Sequence, residues 1–310
     1  MSRFLNALHC QNEGRPPVWL MRQAGRYLPE YRKLRAQHSI EKMFRTPELA
    51  YEVTMQPIRR FGLDAAILFA DILTLCDGFG LDVTFEGGPV VKGDPKSFEL
   101  DAVQYVSETI HMLKQELSVP LIGFCGGPYT VNKYLDQKIS REELVEASIR
   151  YLKMQIESGV DAVQIFDSWA GRLPKDEFVK VVLPDLKTIV DAIRPFPTIV
   201  FTRGSCHLID ELVSLDPTGL SFDWDLPMKE IRKRVPAHIA VQGNVNPELL
   251  KEPQGTIFEA VSALVQSMEG EPGFILNLGH GMTPDLPVVS VTTLLEAASS
   301  IESRADCLQN

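Results

Sequence analysis

Eight short apolar runs, each of four or five residues, recur along the chain and constrain its fold more than any other feature. Each run is almost continuously apolar, which is typical of a parallel strand that is covered on both faces. Longer amphipathic segments separate the runs, so strands and helices are expected to alternate. The runs cover residues 18–21, 65–69, 121–124, 162–166, 198–201, 219–222, 239–242 and 274–278.

The segments between the runs carry helix signals. Thr46 followed by Pro47 predicts a helix start, and Gly62 predicts its end. Further helices are predicted over residues 141–158, over residues 184–193 and after Asn246. Eight strand–helix units predict an α/β fold, a single (β/α)8 barrel of the TIM type over residues 1–310. A doubly wound parallel sheet is the alternative, but no G-x-G-x-x-G motif follows a strand.

Residues 79–91 interrupt the alternation of strands and helices. Glu86-Gly87-Gly88-Pro89 lies near their centre and is typical of a tight turn. The segment therefore predicts a hairpin that is added to the barrel without changing the number of strand–helix units.

The charge distribution favours a small anionic ligand over a nucleic acid. The chain carries 31 Lys and Arg against 41 Asp and Glu, a net charge of −10 that disfavours binding to a phosphate backbone. Residues 1–35 are the exception, with seven basic and two acidic residues. This basic segment indicates either a site for an anionic ligand or a solvated basic surface, and both stay open at this point.

The sequence predicts a cytoplasmic protein with reduced thiols. No apolar run approaches the roughly 18–20 residues of a membrane span, and the first eight residues lack the pattern of a secretory signal. The cysteines are odd in number and form no C-x-x-C pair, so neither a disulfide framework nor a structural zinc site is expected. They are Cys10, Cys76, Cys125, Cys206 and Cys307.

Polar residues and glycines follow the eight runs. In a (β/α)8 barrel the functional groups lie at the carboxyl ends of the strands, so these residues are expected at the mouth of a pocket. They are Arg22, Asp71, Cys125-Gly126-Gly127-Pro128, Asp167-Ser168, Arg203, Asp223-Trp224, Gly243-Asn244 and Gly279-His280.

Charged side chains at the first two strand ends suit binding or catalysis. Arg22 and Arg26 are four residues apart, so in a helical turn both guanidiniums would face the same way and suit a carboxylate or a phosphate. Two surface arginines are the alternative. Asp71 is either a helix N-cap or a carboxylate that faces the pocket. Thr74 and Asp77 are possible caps that would free Asp71 for the pocket.

The later strand ends offer no metal or hydrolase site. The glycine-rich turn at residues 123–130 lacks the lysine of a nucleotide-binding loop, so it suits an anion or the plane of a ligand. Tyr134 follows Thr130 by one helical turn and faces either the pocket or the core. Three roles are open for His280: a metal ligand, an acid–base group or a hydrogen-bond donor to the substrate. No zinc ligands stand at suitable spacing, since the adjacent Cys206 and His207 are poorly placed to chelate one ion.

Several segments resemble a known family. Residues 17–30, PVWLMRQAGRYLPE, resemble the first signature of the uroporphyrinogen decarboxylase family, and residues 123–130, GFCGGPYT, resemble its second. The similarity runs almost from end to end of the chain. Further matching segments are residues 69–73, 165–171, 222–224, 242–244 and 277–281.

The resemblance implies a distorted (β/α)8 barrel, usually a homodimer, that uses neither a metal nor another cofactor. It implies removal of CO2 from the four acetate side chains of uroporphyrinogen III, which gives coproporphyrinogen III. Carried over residue by residue, it implies catalytic roles for Asp71 and Arg22. The substrate-binding residues that it implies are Arg22, Gln23, Ala24, Gly25, Arg26, Asp71, Tyr134, Ser168 and His280.

The implied chemistry places Asp71 at the centre of the macrocycle, where it accepts hydrogen bonds from pyrrole N–H groups. Loss of CO2 needs prior protonation of the adjacent ring carbon, and a fixed carboxylate stabilises the cation that forms. We therefore expect an arginine or N–H donors to hold the pKa of Asp71 down. Arg22 is the family's candidate proton donor. Because a guanidinium gives up a proton reluctantly, the alternative is that Arg22 positions the scissile carboxylate or a water.

The chain also departs from the family pattern. Only residues 136–140 stand between Tyr134 and the next helix, residues 90–100 are trimmed, and Asn246 replaces a common aspartate, so a lid is expected to be shortened. Two other functions stay open. A corrinoid or coenzyme-M methyltransferase needs a zinc-binding cysteine where this chain has Met282. A tetrapyrrole-binding scaffold protein would bind without turnover.

Overall fold

The computed structural model describes residues 2–308 of the chain, and side chains over residues 2–300. Cys307 therefore lies outside the residues with described side chains, while Cys10, Cys76, Cys125 and Cys206 are free thiols. The described strands are β1 (Ala66–Ile67), β2 (Asp82–Thr84), β3 (Val90–Lys92), β4 (Leu121–Gly126), β5 (Ala162–Phe166), β6 (Thr198–Phe201), β7 (Gly219–Ser221), β8 (Ala240–Val245) and β9 (Phe274–Leu278).

The described α-helices surround these strands. They are α1 (Arg3–Leu8), α2 (Pro29–Arg35), α3 (Ile40–Arg45), α4 (Pro47–Phe61), α5 (Leu75–Gly78), α6 (Gln104–Glu116), α7 (Pro128–Tyr134), α8 (Arg141–Ser158), α9 (Lys175–Val181), α10 (Leu183–Ile193), α11 (Ile209–Ser214), α12 (Met228–Arg234), α13 (Gln254–Ser267) and α14 (Val288–Leu308). Short 3-10 helices cover Leu100–Val103, Ala170–Arg172, Cys206–Leu208 and Pro247–Lys251. Across residues 2–308, no helix is long and apolar enough to cross a membrane.

Seven strands form one parallel sheet in the order β1-β4-β5-β6-β7-β8-β9. Residues 17–21 fill the eighth position, between β9 and β1. The N–H of Leu276 in β9 donates to Pro17 O at 3.0 Å, and the N–H of Asp64 donates to Val18 O at 2.9 Å. The α/β barrel fold is therefore confirmed, with an irregular strand at its first position.

The regular strand predicted over residues 18–21 is wrong. A single isolated bridge joins this segment to β9. Side chains bind its N–H groups in place of a neighbouring strand: Val18 donates to Asp64 Oδ2 at 2.7 Å, and Met21 donates to Asn277 Oδ1 at 3.0 Å. These side-chain bonds hold the segment in place without a ladder of backbone hydrogen bonds.

The ends of the longer helices match their sequence signals. α8 begins with a capping box between Ser140 and Glu143 and ends at Gly159, which has φ +107°. α4 follows Thr46 and ends at Gly62, which has φ +65°. Both helices therefore span the residues that the sequence predicts, and α10 covers the third predicted helix with one extra residue at its start.

Two predicted elements have different outcomes. The hairpin expected over residues 79–91 is confirmed, because β2 and β3 pair antiparallel. The helix expected directly after Asn246 is wrong: Asn246 caps a 3-10 helix, and α13 begins only at Gln254. Pro253 explains the interruption, since proline disfavours a helical conformation in the residue before it and lacks an N–H donor.

The barrel interior is packed with large apolar side chains. Trp19, Ile199, Phe201 and Ile275 form a buried cluster that also includes Phe4 of α1. Burial of each such side chain stabilises the fold by about 1.5–3 kcal/mol. α1 packs near the amino-terminal ends of the strands, where Leu8 lies close to the first residue of β7. The amino-terminal end of the barrel is thus covered, and the carboxyl ends form the mouth.

Candidate active site

Arg22 stands where the irregular first strand turns toward α2. It has a left-handed backbone with φ +61°, and no helix runs from Arg22 to Arg26. The helical turn that would align the two guanidiniums is therefore not formed, and both side chains are exposed in one loop. The Arg22 side chain lies against Gly281: a Cβ at that position would come within 2.5 Å of Arg22 Cδ.

Gln23 anchors the same loop from inside. Its Oε1 accepts the Leu20 N–H at 3.1 Å, and its Nε2 donates to Ala65 O at 3.2 Å. The Tyr27 hydroxyl donates to Gln23 O at 2.7 Å. The buried Gln23 amide is thus occupied by the loop, whereas the following Ala24 and Gly25 are half-buried.

Asp71 follows β1 and has two roles in this structure. Its Oδ1 accepts the Leu73 N–H at 2.9 Å, which is a local capping bond. Within the described residues, its Oδ2 accepts no hydrogen bond, so one carboxylate oxygen is available to a ligand. Of the predicted alternative caps, Thr74 accepts the Asp71 N–H, and Asp77 pairs with Arg45.

Burial raises the pKa of Asp71 above its ordinary value, while the Leu73 N–H and the Arg22 guanidinium oppose that rise. The expected lowering of this pKa is therefore wrong in its net direction, because desolvation outweighs the favourable partners. The opposing effect of Arg22 places its charge near the carboxylate. Asp71 also borders a cavity of about 20 Å³.

The glycine-rich turn after β4 is shaped by close packing. A Cβ on Gly126 would come within 2.6 Å of Ile72 O, and one on Gly127 would collide with the Asp167 side chain. Asp167 is fully buried, and its Oδ2 makes no hydrogen bond in the described structure. Burial raises the pKa of Asp167 to about 6.

A hydrogen-bond network joins the end of β5 to α7. Thr130 Oγ1 donates to Asp167 Oδ1 at 2.5 Å and accepts the Trp169 N–H at 3.0 Å. The rings of Trp169 and Tyr134 meet edge to face, with centroids 5.8 Å apart. Ser168 lies half-buried between Asp167 and Trp169. Tyr134 and Ser168, predicted from separate segments, are thus parts of one corner of the mouth.

His280 follows β9 and is half-buried. Its ring lies 6.2 Å from that of Phe201, centroid to centroid. Burial, together with the charges of Arg203, Arg22 and Arg172, lowers the pKa of His280 to about 4. The imidazole is therefore neutral near pH 7, and it is better suited to donate a hydrogen bond than to act as a general acid.

Four of the arginines with described side chains have guanidiniums without a hydrogen-bonding partner. Among arginines with described side chains, Arg22, Arg26, Arg172 and Arg203 make neither an ion pair nor a side-chain hydrogen bond. Sequence reasoning placed Arg203 at a strand end without assigning it to the site, and it missed Arg172. No local signal marks Arg172, because its position beside Gly204 depends on packing against the neighbouring loop.

The described side chains contain no group of three His, Cys, Asp or Glu that could hold a metal ion. Cys206 is buried, with Sγ 3.9 Å from Asp223 Oδ1. His207 is exposed, and its Nε2 lies 3.1 Å from Leu173 O. These two neighbours therefore have separate surroundings.

Comparisons with known proteins identify the family. The family model described as uroporphyrinogen decarboxylase (URO-D) matches residues 1–142 and 139–301. The chain belongs to the uroporphyrinogen decarboxylase family. It is 42% identical to the uroporphyrinogen decarboxylase of Protochlamydia amoebophila over 95% of this chain and 90% of that one. It is 38% identical to that of a Roseiflexus species, over 95% and 97% of the two chains.

Both alignments exceed the 310 residues of this chain, at 328 and 337 positions, so these relatives contain residues without a counterpart here. The shortening expected after Tyr134 and near residues 90–100 stays a prediction. Among solved structures, a methyltransferase from Methanosarcina mazei matches with a TM-score of 0.81 and 20% identity, over 97% of this chain and 98% of that one. A likeness at this identity shows a shared fold alone.

Proposed function

We propose that this chain is a uroporphyrinogen decarboxylase. It converts the four acetate side chains of uroporphyrinogen III to methyl groups and gives coproporphyrinogen III and CO2. Family membership supports the reaction, and the observation that carries the site is the unpartnered charge at the barrel mouth. There, Arg22 acts electrostatically on Asp71, and Arg22, Arg172 and Arg203 act on His280. None of these guanidiniums forms an ion pair within the described structure, so they remain available to a polycarboxylate.

The chemistry explains why a carboxylate is needed beside guanidiniums. A proton first adds to the α-carbon of the pyrrole ring, next to the carbon that bears the acetate, which makes the ring an iminium-like cation conjugated with that carbon. The bond between the methylene and the carboxylate then breaks, its electron pair neutralises the ring, and CO2 leaves. The exocyclic methylene of the resulting enamine takes up a second proton and becomes a methyl group, and the first proton leaves the ring carbon, which restores the aromatic pyrrole. The ring itself is thus the electron sink.

Asp71 stabilises the cationic ring through its charge. Its free Oδ2 accepts pyrrole N–H groups, while the bond from Leu73 fixes the carboxylate in place. Such a preorganised charge is most effective where the substrate excludes water. The raised pKa of Asp71 is that of the empty site. Pyrrole N–H donors favour the charged form and so oppose the effect of burial.

Arg22 holds the scissile carboxylate or a water that delivers the proton. A guanidinium has five N–H donors in a planar fork, which orients a carboxylate better than a single ammonium does. Gly281 packs against the stem of Arg22 and limits its directions. Arg26 binds a further carboxylate from the same loop.

The remaining predicted residues define the walls of the site. Tyr134 and Ser168 contact the macrocycle from the corner formed by α7 and the end of β5, and neutral His280 donates a hydrogen bond. Ala24 and Gly25 offer backbone groups, whereas Gln23 supports the loop through its buried amide. The substrate contacts are thus spread over five positions around the barrel.

We also propose that the enzyme works in the cytoplasm as a homodimer without a cofactor and does not bind nucleic acid. The family resemblance supports the dimer and the absence of a cofactor, and the net charge of −10 argues against nucleic acid. Light scattering coupled to size-exclusion chromatography tests the dimer by the mass of the eluting species.

Turnover tests the proposed function. Purified protein is incubated with anaerobically reduced uroporphyrinogen III and a metal chelator, and the products are oxidised and separated by carboxylate number. We expect hepta-, hexa-, penta- and tetracarboxylate porphyrins to accumulate in turn. Binding of the macrocycle without any loss of CO2 would contradict the proposal and favour a scaffold protein.

A further inference from the structure

Two guanidiniums at the mouth have no assigned role. Arg172 follows β5 in a 3-10 helix, and Arg203 follows β6. Neither forms an ion pair or a side-chain hydrogen bond in the described structure. Most other described arginines pair with carboxylates or donate to backbone carbonyls, so this pair is free to bind an external anion.

The two loops that carry these arginines are packed against each other. Gly171 approaches the carbonyl of Arg203 so closely that no Cβ would fit between them. In the reverse direction, Arg172 Cγ lies 3.8 Å from the position of a Cβ on Gly204. The contacts join neighbouring loops and hold the two side chains at one part of the rim.

Neighbouring groups support Arg203 without neutralising it. Its guanidinium carbon lies 5.8 Å from the centroid of the Trp224 ring, which leaves the guanidinium edge available for hydrogen bonds. The charge of Arg203 opposes the rise that burial causes in the pKa of Asp223. Its carboxylate, however, accepts the backbone N–H groups of Gly204 and Asp225 and makes no ion pair with Arg203.

Strand order places this pair opposite Arg22. The irregular first strand and β6 are four positions apart in an eight-position barrel, so Arg22 and Arg203 stand on opposite sides of the mouth. His280 lies within the electrostatic influence of Arg22, Arg172 and Arg203. Its ring also contacts Phe201, two residues before Arg203. The mouth of the pocket therefore extends without a break from Arg22, past His280, to Arg172 and Arg203.

We propose that Arg172 and Arg203 form a second carboxylate subsite, which binds acidic side chains of the tetrapyrrole on pyrrole rings remote from the reacting one. This inference rests on the proposed function for the identity of the ligand. The substrate carries four acetates and four propionates around its ring, more carboxylates than Arg22 and Arg26 can bind. Guanidiniums on the opposite rim would hold the remote side of the macrocycle while one acetate reacts.

The test uses Arg172→Gln, Arg203→Gln and Arg203→Lys in the full chain. Arg59→Gln is the matched control, because it removes the same charge from an exposed position near the end of α4 that leads into β1. Binding is measured with uroporphyrin III, the oxidised macrocycle that retains all carboxylates, by quenching of protein fluorescence. Turnover is measured in parallel with uroporphyrinogen III, and thermal melting checks that each variant is folded.

We expect each glutamine variant to bind uroporphyrin III about five- to tenfold more weakly, with a similar rise in KM and a much smaller change in kcat. Arg203→Lys should lie between wild type and Arg203→Gln, because it keeps the charge without the fork. Arg59→Gln should bind as wild type does.

The subsite and the proposed function fail in different ways. If wild type turns over uroporphyrinogen III while both glutamine variants bind and react as wild type does, the subsite is wrong and the function stands. If wild type shows no turnover but binding depends on Arg172 and Arg203, the function is wrong and the anion subsite stands. Equal weakening by Arg59→Gln would show a general charge effect and would overturn the subsite.

Discussion

Gly281 lies directly against the Arg22 side chain, so that a Cβ at 281 would come within 2.5 Å of Arg22 Cδ and 2.9 Å of its Nε. The contact joins the end of the last strand to the end of the first. It gives Arg22, the proposed catalytic arginine, a backbone wall in place of a hydrogen-bonding partner. The direction of the Arg22 guanidinium thus depends on the absence of a side chain at Gly281, which is remote from Arg22 in sequence.

Gly281→Ala should therefore displace Arg22 and reduce activity. A shift of about 1 Å in a positioned group can lower the rate by up to about 100-fold, and we expect kcat/KM to fall at least tenfold while the fold is retained. Gly255→Ala in α13 is the control, since nothing lies within 4 Å of a Cβ there. Steady-state kinetics and thermal melting of both variants check the prediction. Unchanged kcat/KM in Gly281→Ala would show that the contact does not orient Arg22.

Arg22→Lys separates the charge of Arg22 from its shape. Lysine keeps the positive charge but loses the planar fork, so we expect kcat to fall about ten- to 100-fold because the carboxylate or water is no longer oriented. Single-turnover rates of the first decarboxylation give the comparison. Activity close to wild type would remove the positioning role.

His280 should not determine the acid limb of the pH profile. Its pKa of about 4 makes the imidazole neutral well below pH 7. The limb belongs to carboxyl groups, including Asp71, whose raised pKa means that its ionised form is lost as the pH falls. In His280→Asn we expect kcat/KM to decrease while the midpoint of the acid limb stays in place. A shift of the midpoint by about one pH unit or more would assign the limb to His280.

Asp167 should make the stability of the protein depend on pH. Its folded pKa of about 6 lies above the ordinary value of 3.8, so the folded state favours the protonated form and loses stability as the pH rises through 6. The loss is of the order of 2–3 kcal/mol at pH 8. Asp167→Asn cannot ionise, so its stability relative to wild type should improve between pH 4 and pH 8. Urea unfolding at both pH values measures this difference, and a difference independent of pH would contradict the prediction.

The parts of the fold that follow local rules were predictable from the sequence. β5, β6 and β9 match their apolar runs to the residue, because each run is bounded by polar or turn residues. α8 likewise spans its predicted residues and ends at Gly159, and the structure adds a capping box at its start. The strand over residues 18–21 failed because its N–H groups bind Asp64 and Asn277, and neither contact has a local signal.

The site was predictable only in part. Asp71 and His280 stand at strand ends, where the fold itself indicates function. The direction of the pKa shift of Asp71 could not be read from sequence, since it depends on how much desolvation exceeds the effect of its partners. Arg172 was missed because nothing near it in sequence distinguishes it from a surface arginine. Its neighbour Arg203 becomes evident only when the two loops are packed together.

The charge of Asp71 is tested most directly by the single-turnover rate of conversion of uroporphyrinogen III to the heptacarboxylate in Asp71→Asn and wild type. Asparagine keeps a hydrogen-bond acceptor without the charge, and Asp191→Asn, at the end of α10 that leads into β6, controls for loss of a remote carboxylate. We expect Asp71→Asn to be slower by about 1,000-fold or more, or about 4 kcal/mol in the barrier, with Asp191→Asn unchanged. A decrease of only a few-fold in Asp71→Asn would contradict the stabilisation of the cation by this carboxylate.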